Sequence, residues 1–237
     1  MTGDQTLREG GRRVFKAELR IVLEREDVMG YTHYAYRQKE IDAAKFAAIR
    51  KDFEKLIIAL DDMDVRLGDG HGENLPVLTD DAIIFNGLAN CGHRKDKSIV
   101  IPWPSRDAVG GVNATAEPND GTWFAGTILN TRTCDGDCSY ETLYFPRKFP
   151  DNYYFQPDEE RPDLFFFCCK TAYRPYDIAV TAFLIVAKHH LGDDIKVSSD
   201  GEDRDWYDAK QLCQLHLGYG VDYEIADVGL VRKAVAA

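Results

Sequence analysis

The segment Leu164–Trp206, LFFFCCKTAYRPYDIAVTAFLIVAKHHLGDDIKVSSDGEDRDW, constrains the fold of this chain more than any other. Leu164 to Lys170 is apolar on both faces, the pattern of a central strand covered on each side. Pro175 suits the first turn of a helix, where its missing N–H costs nothing. Residues 178–187, IAVTAFLIVA, are apolar nearly all round, so this helix is expected in the core, with a polar line at Asp177, Thr181 and Lys188. Gly192 stops it, and Lys188, His189 and His190 match its negative C-terminal end. A helix of about 16 residues is about 24 Å long. A strand of about seven residues is about 23 Å, so one helix returns the chain along the sheet. Ile195 to Ser198 is therefore expected to run parallel to Leu164–Lys170 through a right-handed crossover. A second helix follows, with Trp206, Ala209, Cys213 and Leu217 on one face and Gly218 as its stop.

That β-α-β-α geometry has a chemical consequence. Lys170-Thr171 and Ser198–Gly201 would open at one edge of the sheet, and open α/β sheets bind ligands at the carboxyl ends of their strands. Two helix N-termini would begin there, each with partial positive charge. Lys170 and Arg174 add two full charges. The expected site takes a small anion bearing phosphate or carboxylate, contacted by Lys170, Thr171, Arg174, Asp177, Ser198, Ser199 and Asp200. A structural reading stands beside it, in which Asp177 pairs with Arg174 or caps the helix, and Ser199 and Asp200 close a turn.

Upstream, Gly30 to Arg37, GYTHYAYR, reads as a strand that places His33 on one face with Tyr31 and Ala35. His33 is either a hydrogen-bonded histidine of a half-buried strand or a member of the site, since histidine titrates near neutral pH. Ile41 to Leu60 is a helix with an apolar stripe at Ile49, Phe53, Leu56, Ile57 and Leu60, and Asp42 as N-cap. LGDGHGENLP at 67–76 is a turn-rich loop whose carboxylates are too sparse for a calcium loop. AIIFNG at 82–87 is a strand expected to end at the Asn-Gly turn signal. Residues 91–138 are irregular, with short strands at 99–101 and 123–124, and ETLYFPR at 141–147 is a strand that Pro146 confines to an edge or end. The expected fold is α+β: a mixed β-sheet of about five or six strands, with helices mainly on the C-terminal half.

Residues 1–28 carry six acidic and six basic residues and form an N-terminal extension, in which Phe15 to Leu23 fits either a strand or a helix. Residues 29–237 form one α+β domain with a net charge of -11. That excess of acid argues against general nucleic-acid binding and against anionic membrane surfaces. No apolar run is long enough to span a bilayer. No secretory signal pattern is present, and Cys168 and Cys169 stand together in an apolar strand. These features fit a reducing, cytoplasmic setting.

Two cysteine readings follow. Cys91-Gly-His93 and Cys134-Asp-Gly-Asp-Cys138 offer three sulfurs and an imidazole, enough for a structural zinc. Cys-x-His is not a usual half-site, however, and the halves are far apart, so no metal is favoured. Cys169 precedes Lys170 and a helix start, which would suit a thiolate nucleophile, but at least one of Cys168 and Cys169 must face the core. The Walker loop, G-x-G-x-x-G and G-x-S-x-G are absent, so the common nucleotide and hydrolase signatures are missing and the cofactor is unknown.

The stretches MGYTHY at 29–34, FNG at 85–87, ETLYFPR at 141–147, FFCCKTAYRPYD at 166–177 and VSSDGEDRDW at 197–206 resemble a family of uncharacterised bacteriophage and bacterial proteins. Members begin MGYTHYW and carry FCKTARKPYD near the C-terminus. The resemblance covers about residues 29–217 in patches, with Ala35 in place of the tryptophan and Tyr173-Arg174 in place of Arg-Lys. It implies a phage-associated setting and a domain start at Met29, and it supplies no function. Two classes remain: a protein that binds or acts on a small anionic ligand, or a non-enzymatic accessory protein that binds a host or phage protein.

Overall fold

The computed structural model describes residues 31–93, 97–102, 122–124, 127–134, 136–151 and 157–233. The possible strand at Phe15–Leu23 and the extension as a whole lie outside them. The described strands form four sheets in which every pair is antiparallel. The α+β class holds, but one mixed sheet with a parallel C-terminal unit does not.

The sheet that carries the site has three strands: β1 (Thr32–Gln38), β9 (Leu164–Lys170) and β10 (Ile195–Ser199). Their order is β10-β1-β9, so β1 is inserted between the two strands expected to pair. Both are antiparallel to β1 and share a direction, but they are not neighbours. The physical reason lies in widths. The helix that joins them is about 10 Å across, and two strands separated by a third lie about 10 Å apart. A crossover helix therefore covers a skipped strand as readily as an adjacent pair. Leu164–Lys170 is accordingly an edge strand, with Cys168 exposed and Phe165 and Phe166 only half-buried.

The remaining strands are β2 (Leu67–Gly68), β3 (Val77–Leu78), β4 (Ala82–Gly87), β5 (Lys97–Pro102), β6 (Thr122–Phe124), β7 (Thr127–Cys134), β8 (Leu143–Pro146), β11 (Tyr223–Ala226) and β12 (Gly229–Arg232). β4 pairs with β2, β3 and β8, while β7 lies between β5 and β6. Asn86-Gly87 is not a turn but the end of β4, facing β2. A Cβ on Gly87 would overlap the carbonyl oxygen of Cys138, so glycine there permits a close backbone approach.

The helices are α1 (Ala43–Asp62), α2 (Asp177–Leu191) and α3 (Tyr207–Leu217). Asp42 caps α1 by accepting hydrogen bonds from Ala44 N and Lys45 N. α2 begins two residues after Pro175, ends at Gly192, whose φ is positive at 59°, and is buried from Asp177 through Ala187, as its unbroken apolar run demands. Phe183 meets Phe53, Phe85 and Phe145 at centroid distances of 5.2, 5.9 and 4.9 Å, joining α1, β4 and β8 in one core. A single turn of 3-10 helix over Asp203–Trp206 leads into α3, and left-handed Gly218 stops it. Among the described residues, no helix is long and apolar enough to cross a membrane.

Candidate functional site

His33 lies on the middle strand, in register with Ser199 of β10 on one side and Cys169 of β9 on the other. Its Nδ1 is 3.0 Å from Ser199 Oγ, and its Nε2 is 2.7 Å from Asp177 Oδ1. Asp177 is the first residue of α2, and the turn at 171–176 carries it back over β1. The Thr171 and Ala172 amides anchor that turn on the Tyr31 carbonyl. Ala172 and Tyr173 both sit in the left-handed region, at φ 49° and 55°. Each such residue costs about 1–2 kcal/mol, and strain of this kind concentrates at functional sites.

Asp177 is fully buried and accepts from three side chains. Thr171 Oγ1 donates at 2.6 Å and His33 Nε2 at 2.7 Å, while Arg132 Nε and Nη2 approach the second oxygen at 3.3 and 3.2 Å. Burial pushes its carboxyl upward, but His33, Arg132 and Thr171 outweigh that and hold it below the usual carboxylate range. Arg132 also donates to Asp208 and to the Asp205 carbonyl, and its guanidinium lies over the Tyr173 ring. Burial works against its charge, yet Asp208 and Asp177 keep it above even the ordinary guanidinium value.

An ionised Asp177 can only accept, so a singly protonated His33 ring would carry its proton on Nε2 and present the Nδ1 lone pair to Ser199. Gly201 N donates to Ser199 Oγ at 2.9 Å, which aims the hydroxyl proton at His33. The result is a serine–imidazole–carboxylate relay. His33 and Asp177 are 1% and 0% exposed, and solvent reaches the relay at half-buried Ser199. Two polar groups beside it lack hydrogen-bond partners among the described residues: buried Tyr31 Oη and Trp206 Nε1, whose rings pack edge-on to His33 at 5.2 and 5.4 Å. An unsatisfied buried polar group costs about 1–3 kcal/mol.

Of the expected site residues, His33, Thr171, Asp177 and Ser199 come together. Asp200 sits beside them, accepting from Thr32 N at 3.0 Å and Tyr34 Oη at 3.3 Å. Ser198 is exposed and takes no part. Lys170 and Ser199 lie on opposite edge strands. Lys170 Nζ faces the Tyr140 ring, and Arg174 donates to the Asp137 carbonyl. The anion site expected at the carboxyl ends of parallel strands is therefore overturned. No parallel pair exists among the described strands, and the contacts of both cations are to the loop before β8. Asp177 and Asp208, in the first turns of α2 and α3, already match those helices' positive ends. Cys169 is buried, and burial followed by the Glu141 charge raises its thiol, the opposite of an activated thiolate.

Arg132 and Asp208 are not marked in the sequence, and Tyr31 and Trp206 are placed there only by face, without a site role. Arg132 stands between threonines in a segment with no apolar alternation to mark it as inward. Trp206 was assigned to the apolar face of a helix, and nothing in that spacing shows an indole N–H without a partner. A surface groove lined by residues including Ile58, Val65, Leu75 and Leu88 shares no residue with the relay. Comparisons with protein-family models, curated proteins and solved structures find no match.

Proposed function

We propose that the protein is an acyl-transfer hydrolase whose nucleophile is Ser199, with His33 as general base and Asp177 as the group that positions it. The observation that carries this reading is the continuous relay from Ser199 Oγ through the two nitrogens of His33 to Asp177. In the reaction, Ser199 Oγ attacks an acyl carbon and its proton passes to His33 Nδ1. The same proton is then returned to the leaving group, and water releases the acyl chain by the reverse sequence. Asp177 keeps the imidazole in the Nε2–H tautomer and stabilises the imidazolium formed in each step. The ring is held the other way round from the usual arrangement, with Nδ1 towards serine, and the proton transfers are chemically equivalent.

Substrate charge follows from the surroundings. Asp200 and Asp205 lie near the relay while Lys170 and Arg174 are engaged elsewhere, which favours a neutral or cationic acyl donor. Cys168 and Cys169, adjacent in one strand, fit a reducing compartment, and the motif resemblance supports a phage-associated setting. The test is hydrolysis of a panel of neutral and cationic p-nitrophenyl and thiol esters. Ser199→Ala should lower kcat by at least ~10³-fold with little change in KM. Equal turnover by wild type and a folded Ser199→Ala protein would exclude Ser199 as the nucleophile.

A further inference from the structure

Away from the relay, a second cluster joins segments distant in sequence. Cys91 and His93 follow β4, Cys134 ends β7, and Cys138 lies in the loop before β8. Cys91 Sγ and Cys134 Sγ are 3.4 Å apart, His93 Nδ1 and Cys138 Sγ are 3.3 Å apart, and all four donor atoms lie within 4.8 Å of one another. Bonds of about 2.3 Å to sulfur and about 2.0 Å to nitrogen put the edges of a tetrahedral zinc site at roughly 3.5–3.8 Å, within that spread. A two-iron cluster would hold its ligands farther apart, and sulfur donors disfavour magnesium or calcium.

Three further observations point the same way. The three thiols form a buried cluster separate from the main core, with Leu88 as the hydrophobic side chain packed against it. That is too little apolar surface to hold three segments together. Both ligand spacers turn through left-handed glycines, Gly92 at φ 76° and Gly136 at φ 82°, which fold each pair of donors back toward one point. His93 Nε2 lies 3.1 Å from Asp64 Oδ1, at ion-pair distance though off the line of a hydrogen bond. A carboxylate behind the ring is the usual partner of a metal-bound histidine.

We propose that Cys91, His93, Cys134 and Cys138 bind one zinc ion, through three thiolates and Nδ1, which staples the 91–93 segment to the end of β7 and to the loop before β8. The thiol protons pass to solvent as the ion binds. The site is closed, with four protein ligands and no open position, so its role is structural. The spacing missed in the sequence is supplied by the fold: Gly87 lets β4 approach the Cys138 backbone closely enough to bring the halves together.

The test uses the full chain, expressed with zinc in the medium and purified reduced and without chelator. Elemental analysis should find about one zinc per chain. Cys138→Ser and His93→Ala should each fall below about a tenth of an equivalent, while Cys168→Ser, outside the cluster, keeps its metal. Because the first two variants can fail to fold, cobalt exchange into the wild type is the second measurement. The visible d–d bands of a tetrahedral thiolate site are expected. Wild-type protein with less than about a tenth of an equivalent of zinc and no such cobalt spectrum would overturn the proposal. So would copper in place of zinc, or a Cys91–Cys134 disulfide found by peptide mapping of the reduced preparation.

Discussion

Asp177 accepts hydrogen bonds from a histidine, an arginine and a threonine in a site that excludes water, so its charge is the pivot of the relay. Asp177→Asn removes one of the two carboxylates that face Arg132, and the loss of a buried partner costs about 3–5 kcal/mol. Urea unfolding should show a loss of that size, whereas Ser199→Ala, at the wet end of the relay, should cost less than about 1.5 kcal/mol. The pH dependence has a fixed sign. Asp177 is more acidic folded than unfolded, so its stabilisation is complete above the ordinary carboxylate value near pH 4 and is lost as pH falls through the lower folded-state value. Stability of the wild type should therefore fall more steeply below about pH 4 than that of Asp177→Asn. The sequence named His33, Thr171, Asp177 and Ser199 as candidates, but it chose His33 for its neutral-pH titration alone and joined the other three through a parallel pairing that β1 interrupts. It could not show that Lys170 and Arg174 turn elsewhere, since side-chain direction at a loop depends on neighbours such as Tyr140 and Asp137 that are distant in the chain.

α2 was the most legible element, because an apolar run without a wet face can only be buried. Phe183→Ala, which removes the ring touching Phe53, Phe85 and Phe145, is expected to cost about 3–5 kcal/mol by thermal or urea unfolding. Strand order was not legible. The pattern of Leu164–Lys170 fits a covered central strand, but nothing in its spacing reveals that β1, more than a hundred residues earlier, takes the place beside it. The short hairpin of β11 and β12 was also missed. It is anchored through Gly229, where a Cβ would overlap the Val197 carbonyl of β10. The strained turn before α2 offers a cleaner test of local backbone cost. Ala172→Gly removes a left-handed alanine and should leave stability unchanged or raise it by up to about 1 kcal/mol. A loss of more than that would show that the φ of 49° carries no strain.

Across the molecule, β7 links the two clusters. Its Arg132 reaches Asp177 and Asp208, and two residues on, Cys134 joins the thiol cluster. Removal of the proposed zinc by a strong chelator should lower the Tm and, by loosening β7, slow turnover at Ser199 as well. On the far side, Asp52 of α1 accepts from His190 of α2 at 2.9 Å and from Tyr219 after α3 at 3.0 Å, which ties the helical layer together independently of both clusters. The acidic charge of the chain is thus partly internal, with Asp177 and Asp208 both buried around Arg132. The measurement that bears most directly on the relay is covalent labelling by a neutral fluorophosphonate, read by intact mass and peptide mapping. A single adduct on Ser199, formed by wild type and suppressed by at least ~10²-fold in His33→Ala and Asp177→Asn proteins that remain folded, is the expected result. Folded wild-type protein that takes up no label, or takes it up equally without His33, would contradict an activated Ser199.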